Sequence, residues 1–201
     1  MVGALAGLLA PQRCAGCGSA PSLLCDACAA RLPPPSPFGR VAHVARLVAP
    51  WAYEGAARSL VLALKLEGLR AAARPLVAGM AGAAAASGLA GSVVVWVPGR
   101  IADKRRRGYD HAEVLAVGFG RAVGLPAVPL LWRAREPPDQ AALSAAARRR
   151  NLVDAFWARP CSSGVVLVDD VVTTGTTAAA CAAALRTAGA PSVEVVVPCR
   201  A

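Results

Sequence analysis

Hydrophobic positions along this chain fall into two patterns. In the run Val165-Val166-Leu167-Val168 apolar residues follow one another without alternation. That pattern predicts a strand buried on both faces, as in a parallel sheet. Ser92 to Val97 is a second such run, stopped by Pro98, and is expected to be the first core strand. Strands are also expected around Ala127 to Trp132, Ala155 to Ala158 and Val193 to Val197, the last after a Gly189-Ala190-Pro191 turn. Val41 to Tyr53 reads as extended structure bent near Pro50. Elsewhere apolar residues recur at helical spacing: Ala56 to Leu66, Ala71 to Gly88, Ala112 to Val123, Leu143 to Asn151, and Ala178 to Ala188 closed by Gly189. Strands alternating with helices predict an α/β fold around a mainly parallel sheet.

Two regions break the alternation. Pro33-Pro34-Pro35-Ser36-Pro37 reads as a stiff linker, dividing an N-terminal module, residues 1–37, from a larger domain, residues 38–201. Ahead of it stand Cys14-x2-Cys17 and Cys25-x2-Cys28. Each Cys-x-x-Cys turn presents two thiolates on one side of a knuckle, and four thiolates make a closed tetrahedral site suited to structural Zn²⁺. A redox dithiol and a disulfide pair are the competing readings; doubling of the motif in a reducing compartment favours zinc. Cys161, Cys181 and Cys199 stand alone and read as small core or surface residues.

Composition narrows the setting. The chain has 201 residues, 56% hydrophobic and 17% charged, and only 4% aromatic, so its core must be Ala, Val and Leu closely packed. Net charge is +10, carried almost wholly by arginine, since lysine occurs only at 65 and 104. This balance suits phosphorylated ligands, nucleic acid or both, and alone selects neither. The apolar stretch Met1 to Ala10 lacks a basic flank and is too short to span a bilayer; Leu5, Leu8 and Leu9 share one face of a short docking helix. No other segment reads as a membrane span. Together with seven cysteines, this makes a reduced, cytoplasmic protein the expectation.

Candidate chemistry concentrates after the buried run at 165–168. Asp169-Asp170 would sit at the strand's carboxyl end, where ligands bind in open α/β sheets. Adjacent carboxylates repel, so a cation or sugar hydroxyls should occupy the space they face. Val171, Val172, Thr173, Thr174, Gly175, Thr176 and Thr177 follow, and then a helix. Gly175 permits a tight turn with inward N–H groups, and the helix N-terminus adds partial positive charge, which together cradle phosphate. This stretch resembles the ribose-phosphate signature of type I phosphoribosyltransferases. The resemblance implies that the aspartates hold the ribose 2- and 3-hydroxyls of phosphoribosyl pyrophosphate (PRPP), while the loop binds its 5-phosphate.

Arg100, Lys104 and Arg107, in a basic loop from Gly99 to Gly108, are candidates to receive pyrophosphate, since arginine supplies planar paired donors. Lys65 is a further candidate, weighed against a surface lysine whose stem packs on its helix. The order of motifs extends the resemblance: the cysteine knuckles, Tyr53-Glu54-Gly55, Leu64-Lys65 with Gly68, Val97-Pro98, Arg107-Gly108-Tyr109, Gln140, Arg150-Asn151, Phe156 and the Asp-Asp loop. In that order they are similar to the ComF family, amidophosphoribosyltransferase-like proteins associated with competence for DNA uptake. The resemblance implies a type I phosphoribosyltransferase fold and Mg²⁺-dependent PRPP binding. For some members it implies single-stranded DNA and a competence helicase or translocation protein as partners. Where the family usually carries Asn-Gln, this chain has Asp110-His111; His111 is expected to face solvent at a helix start.

Two functions from different classes follow. One is phosphoribosyl transfer from PRPP to an acceptor that no segment identifies, with Asp169 and Asp170 at the reacting sugar. The other is a non-catalytic module binding single-stranded DNA, with Arg105, Arg106 and Arg148 to Arg150 as its basic surface.

Overall fold

The computed structural model describes residues 12–133 and 155–201. The helices expected over Met1 to Ala10 and Leu143 to Asn151, with Gln140, Arg150 and their neighbours, lie outside the described residues.

In chain order the elements are α1 (Asp26–Ala29), β1 (Arg46–Val48), β2 (Trp51–Ala52), α2 (Gly55–Lys65), a 3-10 turn (Arg70–Ala72), α3 (Ala73–Ser87), β3 (Val93–Trp96), α4 (Ile101–Arg107) and α5 (His111–Val123). Then follow β4 (Leu131–Arg133), β5 (Phe156–Ala158), β6 (Val165–Val168), β7 (Val171–Val172), α6 (Thr176–Thr187), β8 (Val193–Val196) and β9 (Cys199–Arg200). A four-stranded parallel sheet has the order β1-β8-β6-β3. The run at 92–97 forms β3, buried at Val93 to Val95 as a core strand, and a further strand, β1, precedes it at the opposite edge of the sheet, buried only at Val48. Pro50 hid β1 by cutting the stretch 41–53 into two short pieces.

Both faces of this sheet are covered, which is why its strands carry no polar alternation. Val94, Val166, Val168 and Val196 pack with Leu60, Leu64, Leu76, Met80, Leu115 and Phe119 from α2, α3 and α5. On the other face, Val95, Val165, Leu167 and Val195 meet Cys181, Ala182 and Leu185 of α6. The one carboxylate inside this sheet, Glu194, is buried, and accepts hydrogen bonds from the backbone N–H groups of Ala90 and Gly91 at 2.9 Å each.

Three of the strands pause at one level and then resume. Val48, Val168 and Val196 are paired across the first sheet, and Trp51, Val171 and Cys199 across a second parallel sheet of order β2-β9-β7. The two-residue pauses are Ala49-Pro50, Val197-Pro198 and Asp169-Asp170. The aspartates therefore lie within a broken strand and not beyond the end of one.

The N-terminal module rests on the larger domain. Leu23, Leu24 and Leu32 pack against the α2–α3 side of the core. Pro33 of the linker accepts a hydrogen bond from the Ala52 N–H at 2.8 Å.

Candidate functional site

At the N-terminal knuckle, the Sγ atoms of Cys14 and Cys17 each stand 3.8 Å from that of Cys25, and the four sulfurs lie within 4.8 Å of one another. Thiolates bonded to one tetrahedral ion at about 2.3 Å stand roughly 3.8 Å apart. Backbone N–H groups of Gly16 and Cys25 point at the Cys14 sulfur, each at 3.4 Å. Such backbone hydrogen bonds lower the Cys14 thiol to about 6. Cys28 moves the other way, to about 12, through hydrogen bonds with Cys25 and Cys17 and through burial. The sulfurs thus form a compact, mutually coupled set that could hold one metal ion.

The second constellation is a cleft of about 400 Å³ at the strand pauses, lined among others by Tyr53, Lys65, Arg100, Asp103, Arg107, His111, Arg133, Asp169, Asp170, Thr173 and Thr177. Lys65 ends α2, and its Nζ lies 2.6 Å from Oδ2 of Asp170. His111 begins α5 with Nε2 3.5 Å from the same oxygen. His111 is buried, against the expectation of a solvent-facing helix start. The reason lies before it: Asp110, the N-cap of α5, is itself buried and tied to Gly99 and Lys104, which holds the start of the helix against the loop after β3. Asp110 Oδ1 accepts from the Ala112 N–H at 3.1 Å, while Oδ2 accepts from the Gly99 N–H at 3.0 Å and meets Lys104 Nζ at 2.7 Å.

Adjacent in sequence, the two aspartates are electrostatically unlike. Asp169, partly exposed, accepts the Asp170 N–H at 2.8 Å. Burial and the charge of Asp170 push its carboxyl well above the usual carboxylate range. Burial would raise Asp170 too, but the hydrogen bond from His111 and the charge of Lys65 outweigh it and hold that carboxyl below the usual range. Burial likewise opposes the charge on Lys65, and the Asp170 carboxylate overcomes it, raising the amine. The repulsion expected of a bare pair is thus already relieved at Asp170 by the protein's own groups.

The basic stretch after β3 is a helix, α4, where a loop was expected. Its alanine, lysine and arginines favour helix, its cationic last turn suits the helix dipole, and Gly108 ends it at φ 75°. The three candidates it carries are placed differently. Arg100 and Arg107 line the cleft. Arg107 donates to the Lys65 carbonyl at 2.7 Å, tying α4 to the end of α2. Lys104 is turned onto Asp110 and is not among the cleft-lining residues.

At the other end, Gly175 adopts φ 74°, as its place in a tight turn requires. Thr173 and Thr177 line the cleft, and Thr174 and Thr176 share a 2.8 Å hydroxyl hydrogen bond at the mouth of α6. The first N–H groups of α6 have no carbonyl within their own helix to bond. Val171 lines the cleft, whereas Val172 is buried in the core. Residues 38–41 lean over this turn: a Cβ added to Gly175 would stand 2.9 Å from Cγ2 of Val41 and 3.5 Å from the ring of Phe38.

Sequence reasoning missed Tyr53, Asp103 and Arg133 as cleft residues. Arg133 donates to the Pro98 carbonyl at 2.9 Å and stacks over Phe156 at 4.9 Å. Nothing local marks it, because its role depends on β4 lying beside Pro98. For His111 the signal was partial: an Asp directly before a helical apolar pattern marks an N-cap, but not what that helix start packs against.

No family model matches the chain, and no curated protein matches it either. Among solved structures it is similar to the allosteric regulatory enzyme of purine biosynthesis, at 28% identity over 62% of this chain and 25% of that one, with a TM-score of 0.43. It is also similar to the glutamine PRPP amidotransferase of B. subtilis complexed with ADP and GMP, at 28% identity over 61% of this chain and 25% of that one, TM-score 0.41. Adenine phosphoribosyltransferase of Leishmania tarentolae aligns at 17% identity over 67% of this chain and 58% of that one, TM-score 0.38. The chain thus spans about a quarter of the length of the first two. Among the described residues, no helix is long and apolar enough to cross a membrane.

Proposed function

We propose that the cleft binds PRPP with Mg²⁺ and that the protein transfers the phosphoribosyl group to an acceptor. The observation that carries this reading is the make-up of the cleft: one lining brings together Thr173 and Thr177 beside the left-handed Gly175, the carboxylates Asp169 and Asp170, and the cations Arg100, Arg107 and Lys65. A donor with a phosphate, two hydroxyls and a pyrophosphate calls for the same three kinds of group. Asp169 and Asp170 would accept the ribose hydroxyls, the turn at 173–177 would hold the 5-phosphate, and the arginines would receive the leaving group. Positive charge develops on the sugar as pyrophosphate departs, and carboxylates fixed beside it stabilise that charge. Two carboxylates in a cleft that also carries cations fit Mg²⁺, which takes oxygen ligands; Asp169 and Asp170 would hold it, and it would help neutralise the departing pyrophosphate. Four sulfurs at tetrahedral spacing fit structural Zn²⁺ at the N-terminus. The ComF resemblance has the same content: knuckles first, then this cleft.

Titration calorimetry of PRPP with Mg²⁺ tests the reading, followed by a screen of nucleobases and amines for pyrophosphate release. Binding with acceptor-dependent release is the expected result, and no binding at millimolar PRPP overturns it. One observation favours the second reading, single-stranded DNA. On the outer face of the β4–β5 ribbon Trp132 and Trp157 stack at 4.5 Å, Trp157 is 48% exposed, and Arg159 lies 4.8 Å over Trp132. Aromatic faces beside arginine stack bases without sequence preference. That reading requires weak, salt-sensitive binding of single strands that drops on Trp157→Ala.

A further inference from the structure

Across the centre of the cleft, His111, Asp169 and Asp170 each offer one ligand atom, and these atoms lie within 4.8 Å of one another. An ion bonded at about 2.2 Å to each would hold them at most ~4.4 Å apart, so a contraction of a few tenths of an ångström completes the set. The imidazole has the character of a ligand in waiting. Its side chain is 9% exposed, and Nε2 points at the Asp170 carboxylate. Nδ1 is buried and has no hydrogen-bond partner among the described residues. Burying an imidazole with one nitrogen unbonded costs free energy and calls for an explanation. Behind it, Asp110 Oδ1 stands 4.0 Å from Nδ1. A carboxylate hydrogen-bonded to the rear nitrogen orients many metal-bound histidines; here the two stand just outside that range, so the bond would have to form as the ion binds. Lys65 now holds the oxygen an ion would take, so binding there must displace its 40% exposed side chain.

We propose that His111, Asp169 and Asp170 bind a divalent transition-metal ion directly, with no phosphorylated ligand present, and that the imidazole makes this site prefer such an ion to Mg²⁺. Mg²⁺ favours oxygen donors in near-ideal octahedra and retains its waters, whereas imidazole nitrogen suits first-row transition ions. The site deepens the PRPP reading by selecting the metal of the same cleft, yet it is measurable without PRPP.

Mn²⁺ is the probe, added to the full chain as purified, with its own N-terminal metal and no PRPP. Electron paramagnetic resonance counts bound ion, and spin-echo modulation reports directly bonded nitrogen. The thiolate knuckle carries no imidazole, and the other histidine, His43, is exposed on a separate stretch. Expected are one Mn²⁺ per chain with nitrogen modulation, retained when Mg²⁺ is added at equal concentration. His111→Gln should erase the modulation and most of the preference; Asp169→Asn should weaken both ions. Absence of nitrogen modulation in the wild type, or unchanged Mn²⁺ preference in His111→Gln, overturns the proposal. Should His111→Gln not fold, the wild-type nitrogen signal decides alone. PRPP binding without the Mn²⁺ site would sink this inference only, and the Mn²⁺ site without PRPP binding would sink the PRPP reading only.

Discussion

The cysteine knuckle and the aspartate cleft both draw anionic side chains around a space that a cation fits, and they are built in opposite ways. The knuckle takes all four ligands from Cys14 to Cys28 and needs little beyond two tight turns to bring them together. The cleft takes Lys65 from the end of one helix, His111 from the start of another and Asp170 from a break in a strand; Lys65 and Asp170 are 105 positions apart. A site made of local turns depends on its ion to fold, while one made from distant elements is held by the core around it and survives losing any one ligand. Breaking each site should therefore fail differently.

The largest effect is expected at the knuckle. Cys25→Ser, or removal of metal by a strong chelator, should unfold roughly the first 35 residues, because small metal modules fold on their ion. Limited proteolysis would then cut before Phe38 while the larger domain stays resistant, and elemental analysis should give one zinc per chain in the wild type. Purified protein with four free thiols and no metal would remove the contrast altogether.

Next in size is loss of ligand without loss of fold. Asp169→Asn with Asp170→Asn should abolish calorimetric PRPP binding while leaving the circular dichroism spectrum unchanged. Gly175→Val should do both kinds of damage. A β-branched residue at φ 74° is strained by about 1–3 kcal/mol, and its Cβ would press on Val41. Native PRPP affinity in this variant would show that the turn is not the phosphate site.

The single aspartate variants sharpen the comparison further, because their stability effects should have opposite signs. Asp169 binds its proton more tightly in the folded chain, so its ionisation lowers stability as pH rises above the unfolded value of about 4. Asp169→Asn removes that loss and should match or exceed the wild type at pH 7. Asp170 is held low by His111 and Lys65, so its contribution is present above about pH 4 and fades as pH falls through its folded value. Asp170→Asn should cost about 1–2 kcal/mol at pH 7, limited by the half-exposed Lys65, and less in acid. Denaturant unfolding at pH 7 and pH 3 reads both signs, and two variants of equal stability at pH 7 would refute the assignment. The smallest effect belongs to Thr174→Ala, a few-fold rise in the PRPP dissociation constant, since backbone N–H groups at the helix start carry most of a phosphate contact.

The same contrast explains what could be read from the chain alone. Unbroken apolar runs gave the central strands, and Cys-x2-Cys spacing gave the knuckle, because each is a local property. Gly175 was legible as a left-handed turn for the same reason. The inward turn of His111 was not, since it depends on Asp110 capping α5 while bonding Gly99 and Lys104 from another element. The helix at 101–107 was mistaken for a loop because its only apolar residues, Ile101 and Ala102, are adjacent and exposed and leave no amphipathic stripe to recognise. Lys65 could be listed as a candidate from its motif, but its partner lies across the fold.

The pause shared by three strands has a consequence for how this molecule can vary over descent. In a continuous strand, neighbouring side chains face opposite ways, and one of two adjacent aspartates would enter the core. Two residues off the ladder let both line the cleft, and β7 then resumes opposite β9 at Val171 and Cys199. The chemistry of the cleft constrains the two side chains in the pause, and the register of the strands constrains its length. Deleting a single residue between Val168 and Val171 would shift β7 by one position, exchange its buried and cleft-facing valines, and carry the turn at Gly175 with it. Relatives of this chain that lose the carboxylates at these two positions, and with them the ligand, should therefore still keep the number of residues between the two strands.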